Sequence, residues 1–185
     1  MPNEVEIKFA LSDLAAMEAA LLKLGFRRKT ARTHEMNTLF DLPGNTLRQR
    51  GELLRLRKYG DEWVLTHKGP GAPGKHKTRA ELETRLESGE QMELILRSLG
   101  FSPTFRYEKF RTEWADNSGH VVLDETPIGN FGEIEGPADW IDRTAAALGI
   151  GESQYITDSY GQLFAKWKAR TKSTADDMTF AAIRA

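Results

Sequence analysis

Residues 4–9, Glu4-Val5-Glu6-Ile7-Lys8-Phe9, alternate charged and apolar side chains without a break. Successive side chains of an extended strand point to opposite faces. Two carboxylates and an ammonium therefore share one face, and Val5, Ile7 and Phe9 the other. A half-buried strand commonly turns a charged face to water. The weight comes from recurrence, because later segments repeat the pattern with acids and bases sorted by strand.

Arg55 and Arg57 oppose Leu54 and Leu56, and Thr66 and Lys68 oppose Leu65 and His67. Arg79, Glu81, Glu83 and Arg85 oppose Ala80, Leu82 and Leu86. Lys109 and Arg111 share a face with Tyr107 and Glu113, against Phe110 and Trp114. Asp124 lies with Val122 against Val121 and Leu123, while Glu133 and Glu135 oppose Ile134. Like charges two apart on one strand face repel unless an ion of opposite sign sits between them. Arginine presents a planar fork to phosphate oxygens and lysine a point charge. Facing carboxylates supply the oxygen ligands that Mg²⁺ or Mn²⁺ prefers. Bases and acids in one site suit a metal-bound polyphosphate.

Around these strands the turn and cap signals set an order. A strand over 3–10 leads to a helix capped by Ser12 or Asp13, carrying Leu14, Met17, Leu21 and Leu22, and ended by Gly25. Residues 26–41 read as extended but alternate poorly, and Pro43-Gly44-Asn45 is a turn. Strands over 53–58 and 62–68 flank the hairpin turn Tyr59-Gly60-Asp61. Gly69 to Lys77 is a Gly-, Pro- and Lys-rich loop, followed by a strand over 78–87. Ser88 caps a helix to Leu99. Strands at 104–115, 119–126 and 130–136 follow, then helices over about 138–148 and 157–170. The tail 171–185 offers Met178, Phe180 and Ile183 for docking. Roughly eight strands joined by short turns, with interspersed helices, make an α+β chain dominated by an antiparallel sheet.

With 185 residues the chain has room for one sizeable core. Its 26 basic and 27 acidic residues give a net charge of -1, which argues against a general nucleic-acid or membrane-surface binder. The absence of cysteine excludes disulfides, thiolate zinc sites and a cysteine nucleophile. No segment reaches membrane-spanning length and the N-terminus has no apolar leader core, so a cytoplasmic protein is expected.

Glu4-x-Glu6-x-Lys8 near the N-terminus is similar to the ExExK signature of the CYTH superfamily, the triphosphate tunnel metalloenzymes. Class IV adenylate cyclases, thiamine triphosphatases and inorganic triphosphatases belong to it. The likeness extends through Leu54-Arg55-Leu56-Arg57, Leu65-Thr66-His67-Lys68-Gly69-Pro70, Lys109-Phe110-Arg111, Leu123-Asp124, Gly132-Glu133-Ile134-Glu135-Gly136 and Ser159-Tyr160, over about residues 3–168. The resemblance implies a closed eight-stranded antiparallel β-barrel, a tunnel with helices packed on its outside, as one domain over 1–170. It implies Glu4, Glu6, Glu133 and Glu135 as metal ligands, with Glu81 or Glu83 as a further one. Lys8, Arg55, Arg57, Lys68, Lys109 and Arg111 form the implied triphosphate cradle, joined by Arg79. Asp124 is an acidic site residue that orients Arg or Lys. Chemistry would fall to Glu4, Glu6, Lys8, Lys68 and Asp124.

The expected activity is Mg²⁺- or Mn²⁺-dependent hydrolysis of a triphosphate-bearing small molecule: tripolyphosphate, thiamine triphosphate or a nucleoside triphosphate. The alternatives are a class IV adenylate cyclase, which uses the same cradle to make cyclic AMP and pyrophosphate, and a non-catalytic polyphosphate-binding module. An RNA 5′-triphosphatase ranks lower, for want of an extended basic patch. His67 is expected to face outward, His34, His76 and His120 to lie on the surface, and Tyr160 to be a buried helix residue. Lys75, His76 and Lys77 could cover one tunnel mouth. Oligomeric state is not readable.

Overall fold

Period-two alternation builds eight strands: β1 (Asn3–Leu11), β2 (Arg27–Asp41), β3 (Leu53–Tyr59), β4 (Glu62–Lys68), β5 (Lys77–Leu86), β6 (Ser102–Ala115), β7 (His120–Thr126) and β8 (Gly129–Glu135). In the computed structural model they close into a barrel in the order β1-β5-β4-β3-β2-β6-β7-β8. Every neighbouring pair is antiparallel. The structure describes residues 3–72 and 74–184. Met1 and Pro2 of the N-terminal segment, Pro73 of the 69–77 loop and Ala185 of the tail lie outside the described residues. Among the described residues no helix is long and apolar enough to cross a membrane.

Helices α1 (Leu14–Lys23), α2 (Thr46–Gln49), α3 (Gly89–Ser98), α4 (Ala138–Ala147), α5 (Tyr160–Thr171) and α6 (Phe180–Arg184) surround the barrel, with a 3₁₀ turn at Glu152–Gln154. Asp13 caps α1, accepting from the Ala16 amide at 2.9 Å. Ser159 and Gln162 cap α5 reciprocally. The four-residue α2, which the turn signal at 43–45 did not reveal, is held by Asp41. Its carboxylate accepts from the amides of Leu47 and Arg48 at 2.8 and 3.0 Å.

The apolar faces point outward. Ile7, Phe9, Val121, Leu123 and Ile134 pack beneath Leu21 of α1 and Trp140, Ile141 and Ala145 of α4. Each such side chain contributes roughly 1.5–3 kcal/mol by burial. Phe9 lies across from Gly132 on β8, where a Cβ would fall 2.1 Å from the ring. Leu96 of α3 covers Phe40 and Leu56 on the far side of the barrel, with Leu54, Trp63 and Leu65 packed against them. His67 pairs with Glu52 on this outer face, as its alternation predicted.

α5 behaves differently from the helices on the outer face. Leu39, Phe105, Tyr107 and Phe131 have the same strand parity as Asn37, Lys109 and Glu133, so they point into the barrel. They cluster with Tyr160, Leu163, Phe164 and Trp167. α5 therefore packs over one end of the lumen, where the inward residues turn apolar. The tail is ordered beside it. Met178 is fully buried and exchanges backbone hydrogen bonds with Arg106 and Glu108 of β6.

The candidate active site is a charged lumen

Strand alternation puts every charge pair of the sequence into one space. The lumen encloses about 630 Å³ and is lined by every residue of the implied metal set and cradle. Asp124 is wholly buried in the wall behind it, and Arg85, at the end of the β5 face, pairs with Glu62 outside. A space of that size suits a small-molecule ligand.

The lumen is polarised along β1 and β8. Ala10 faces Phe131 at the end near α5, and Glu6 faces Glu135 at the other, about 13 Å away along the strand. At this second end Glu4, Glu6 and Glu135 crowd together. Burial, then the charges of Glu4 and Glu6, push the Glu135 carboxyl up to about 7. Burial and Glu6 likewise raise Glu4. Burial opposes the charge of Glu6, yet Lys8, Lys77 and Lys68 hold its pKa below the ordinary value. Four of the acids are met by an ammonium: Lys68 lies 2.6 Å from Glu4 and 3.0 Å from Glu81, Lys77 2.5 Å from Glu6, and Lys8 bonds Glu133.

Among the described residues no three acidic or histidine side chains stand close enough to share one ion. The donor set nonetheless fits a hard divalent cation, because three crowded carboxylates with two raised pKa values offer oxygen ligands and excess negative charge. Glu81 and Glu83 both line the lumen but differ in company. Glu81 joins Lys68 and lies near Glu4. Glu83 accepts from Thr66 at 3.1 Å and lies 3.5 Å from Arg57, on the arginine side.

The basic wall is organised by two buried carboxylates. Asp124 is fully buried and accepts from Lys109 at 2.9 Å, from Arg111 at 2.7 and 2.6 Å, and from the Tyr160 hydroxyl at 2.5 Å. With its lone pairs so engaged, Asp124 orients cations. Burial and then Asp124 push the Tyr160 phenol well above its ordinary pKa, which keeps it a donor. Lys8 and Lys109 both lie over its ring, with Nζ 4.6 and 4.7 Å from the centroid. Tyr160 is buried as the sequence predicted. It also belongs to the site, brought there by the placement of α5 over the lumen end.

Glu35 is the second buried carboxylate, and the sequence reading missed it. It lies 3.4 Å from Lys109 and 3.9 Å from Arg57 and accepts from Asn37 at 2.8 Å. Burial alone would raise its pKa, but Lys109, Arg111, Arg55 and Arg57 together hold it down to about 2. A carboxylate depressed on folding stabilises the protein above its unfolded pKa, and that stabilisation is lost as pH falls through the folded one. Glu35 is therefore expected to contribute about 3 kcal/mol near neutrality, declining between about pH 4.5 and 2. Denaturant unfolding of the wild type and Glu35→Gln should show a stability gap that narrows over this acid window. A gap constant from pH 7 to pH 2 would contradict the assignment.

The remaining histidines and the loop differ in part from the sequence reading. His34 is on the surface beside Glu108. His76 is largely covered, with Nε2 2.9 Å from Asp142. His120 is exposed as expected, but also lines the lumen. Lys77 lines the lumen at the head of β5, while Lys75 points away to Asp142 and Glu152. Arg79 lines the lumen with its Nε unpartnered and forms no ion pair among the described residues.

A closed antiparallel barrel with acids at one end of its lumen and arginine and lysine beside them defines a β-tunnel with a charged interior. The CYTH domain model matches residues 2–153, and the chain belongs to that family. A Methanocaldococcus jannaschii protein provisionally named an adenylate cyclase is 31% identical over 171 residues, covering 86% of this chain and 97% of its own length. The fold is also similar to a solved Vibrio parahaemolyticus protein with the same provisional name: TM-score 0.80, 19% identity, 88% of this chain and 97% of that one. A Hippeastrum adenylyl cyclase homologue, described as revealing a dominant triphosphatase activity, aligns at TM-score 0.66 and 18% identity over 88% of this chain and 95% of its own.

Proposed function

We propose that this chain is a divalent-metal-dependent phosphohydrolase of a triphosphate-bearing small molecule bound in the lumen. The observation that carries the reading is the juxtaposition of Glu4, Glu6, Glu81 and Glu135 with Arg55, Arg57, Lys109 and Arg111 in one enclosed space. A binding module would need the bases; the extra carboxylates serve a cation. Glu4, Glu6, Glu133 and Glu135 would hold Mg²⁺ or Mn²⁺, with Glu81 beside them. Such an ion, when bound, supplies charge neutralisation on phosphate oxygens and acidifies water.

The chain's own residues do the rest. Arg55, Arg57, Arg79 and Lys109 bind phosphate oxygens and fix the chain's line. Asp124 and Tyr160 hold Lys109 and Arg111 in position, so these cations need not reorganise as charge moves to the leaving group. The wall of the barrel limits access of bulk water. No side chain is placed as a separate general base.

Adenylate cyclisation is the second reading, favoured by the name of the Methanocaldococcus jannaschii relative. Against it, the aromatic faces in the lumen are already engaged. Tyr107 stacks on Phe105 and contacts Tyr160, and Tyr160 carries Lys8 and Lys109, which leaves adenine little to stack on. Incubating the pure protein with Mn²⁺ and, in turn, tripolyphosphate, thiamine triphosphate and ATP separates the readings by product. Phosphate release abolished by EDTA is expected. Cyclic AMP formed well faster than phosphate would reverse the order.

A further inference from the structure

Lys77 faces Glu6 directly across the β1–β5 pair, with its ammonium 2.5 Å from Glu6 Oε1. The two residues before it are held elsewhere. Lys75 bonds Asp142 of α4 at 3.0 Å and also Glu152, and His76 Nε2 lies 2.9 Å from Asp142 Oδ1. The Tyr155 hydroxyl donates to the same Asp142 oxygen at 3.2 Å. This anchor is fixed to the barrel in turn, because Lys8 and Ile156 exchange both backbone hydrogen bonds, at 3.0 and 2.7 Å. The backbone leading into β5 is thus clamped from outside, while the Lys77 side chain reaches into the lumen on a flexible four-carbon stem, with Glu6 as its ion-pair partner among the described residues.

Glu6 is nearly buried, and an ammonium on its carboxylate stands where a hard cation would bind. The two cations compete for one ligand. A polyphosphate chain offers the displaced ammonium a new partner a side-chain rotation away, whereas Lys68, shared by Glu4 and Glu81, and Lys8, locked between Glu133 and the Tyr160 ring, are held on several sides.

We propose that Lys77 is an exchanging cation, which neutralises Glu6 before a divalent ion binds and transfers to a phosphate oxygen once that ion occupies Glu6. This inference rests on the metal–triphosphate reading above and adds a substrate-binding residue to it. It couples the two ligands: metal entry creates a phosphate contact, so by linkage the phosphate chain tightens the metal.

Calorimetric titration of Mn²⁺ alone, and of a methylene-bridged non-hydrolysable tripolyphosphate with Mn²⁺ present, tests this. Lys77→Gln is expected to bind Mn²⁺ alone several-fold more tightly and the analogue about tenfold more weakly, the size of one charge-assisted hydrogen bond. Lys77→Arg should restore the analogue affinity, and Lys77→Ala should repeat the Gln result if Gln fails to fold. Mn²⁺ and analogue affinities equal to wild type in Lys77→Gln would overturn the inference alone, as would weaker Mn²⁺ binding. A wild type that takes up neither ligand would overturn the parent reading with it.

Discussion

Glu6→Gln is expected to lower triphosphate turnover by about 10³-fold, the effect of removing one charge aimed at a reacting phosphoryl group. Glutamine keeps the size of the side chain and loses the charge. Glu6 sits nearly buried between Glu4, Glu133 and Glu135, facing Lys77. Its carboxylate is thus both a ligand and part of the negative field that draws a cation into this end of the lumen. Mn²⁺ affinity by calorimetry should fall together with turnover, while the melting temperature stays close to wild type, because Lys77 can turn toward solvent. Near-normal turnover in the variant would refute the placement of the metal end.

Asp124→Ala is expected to cost stability as well as activity. The side chain has no exposed surface and neutralises Lys109 and Arg111, so its removal leaves two cations and the Tyr160 hydroxyl uncompensated in a dry wall. Breaking a buried ion pair from one side costs about 3–5 kcal/mol. For a chain of this length that lowers the melting temperature by roughly 10 °C. Turnover should fall further than Glu35→Gln lowers it, because Asp124 aims two cradle cations and a ring. A variant with a wild-type melting temperature and wild-type affinity for tripolyphosphate would show that Asp124 organises nothing.

Much of the site was legible because alternation is a strict rule on a strand. Once β1 and β8 are strands, Glu4, Glu6 and Lys8 must share a side, as must Glu133 and Glu135. Three things escaped that rule. In β2 the pairing with β6 shifts register between Arg28 and Thr30, Thr30 and Thr33, and Leu39 and Phe40. From Thr33 to Leu39 the register is unbroken, but inward Glu35, Asn37 and Leu39 and outward His34, Met36 and Thr38 each mix polar with apolar types. The period that sets Glu35-x-Asn37 beside the arginines therefore does not show in the residue types. The second is long-range placement. Tyr160 begins a helix with an ordinary Ser cap, and nothing local says that this helix covers the end of the lumen instead of its outer wall. Only the apolar run of inward residues, Leu39, Phe105 and Phe131, hints at a plug, and reading it requires the register between three strands. Lys77 sat at the edge of a loop rich in glycine and proline, where alternation has not yet begun.

The most direct test of the account is the position of manganese and phosphorus in a crystal of the wild-type protein grown with Mn²⁺ and the methylene-bridged tripolyphosphate. Anomalous density for manganese among Glu4, Glu6, Glu133 and Glu135, with the phosphate chain running to Arg55, Arg57 and Lys109, is the predicted result. Manganese confined to the outer surface, or a phosphate chain bound outside the barrel, would contradict it.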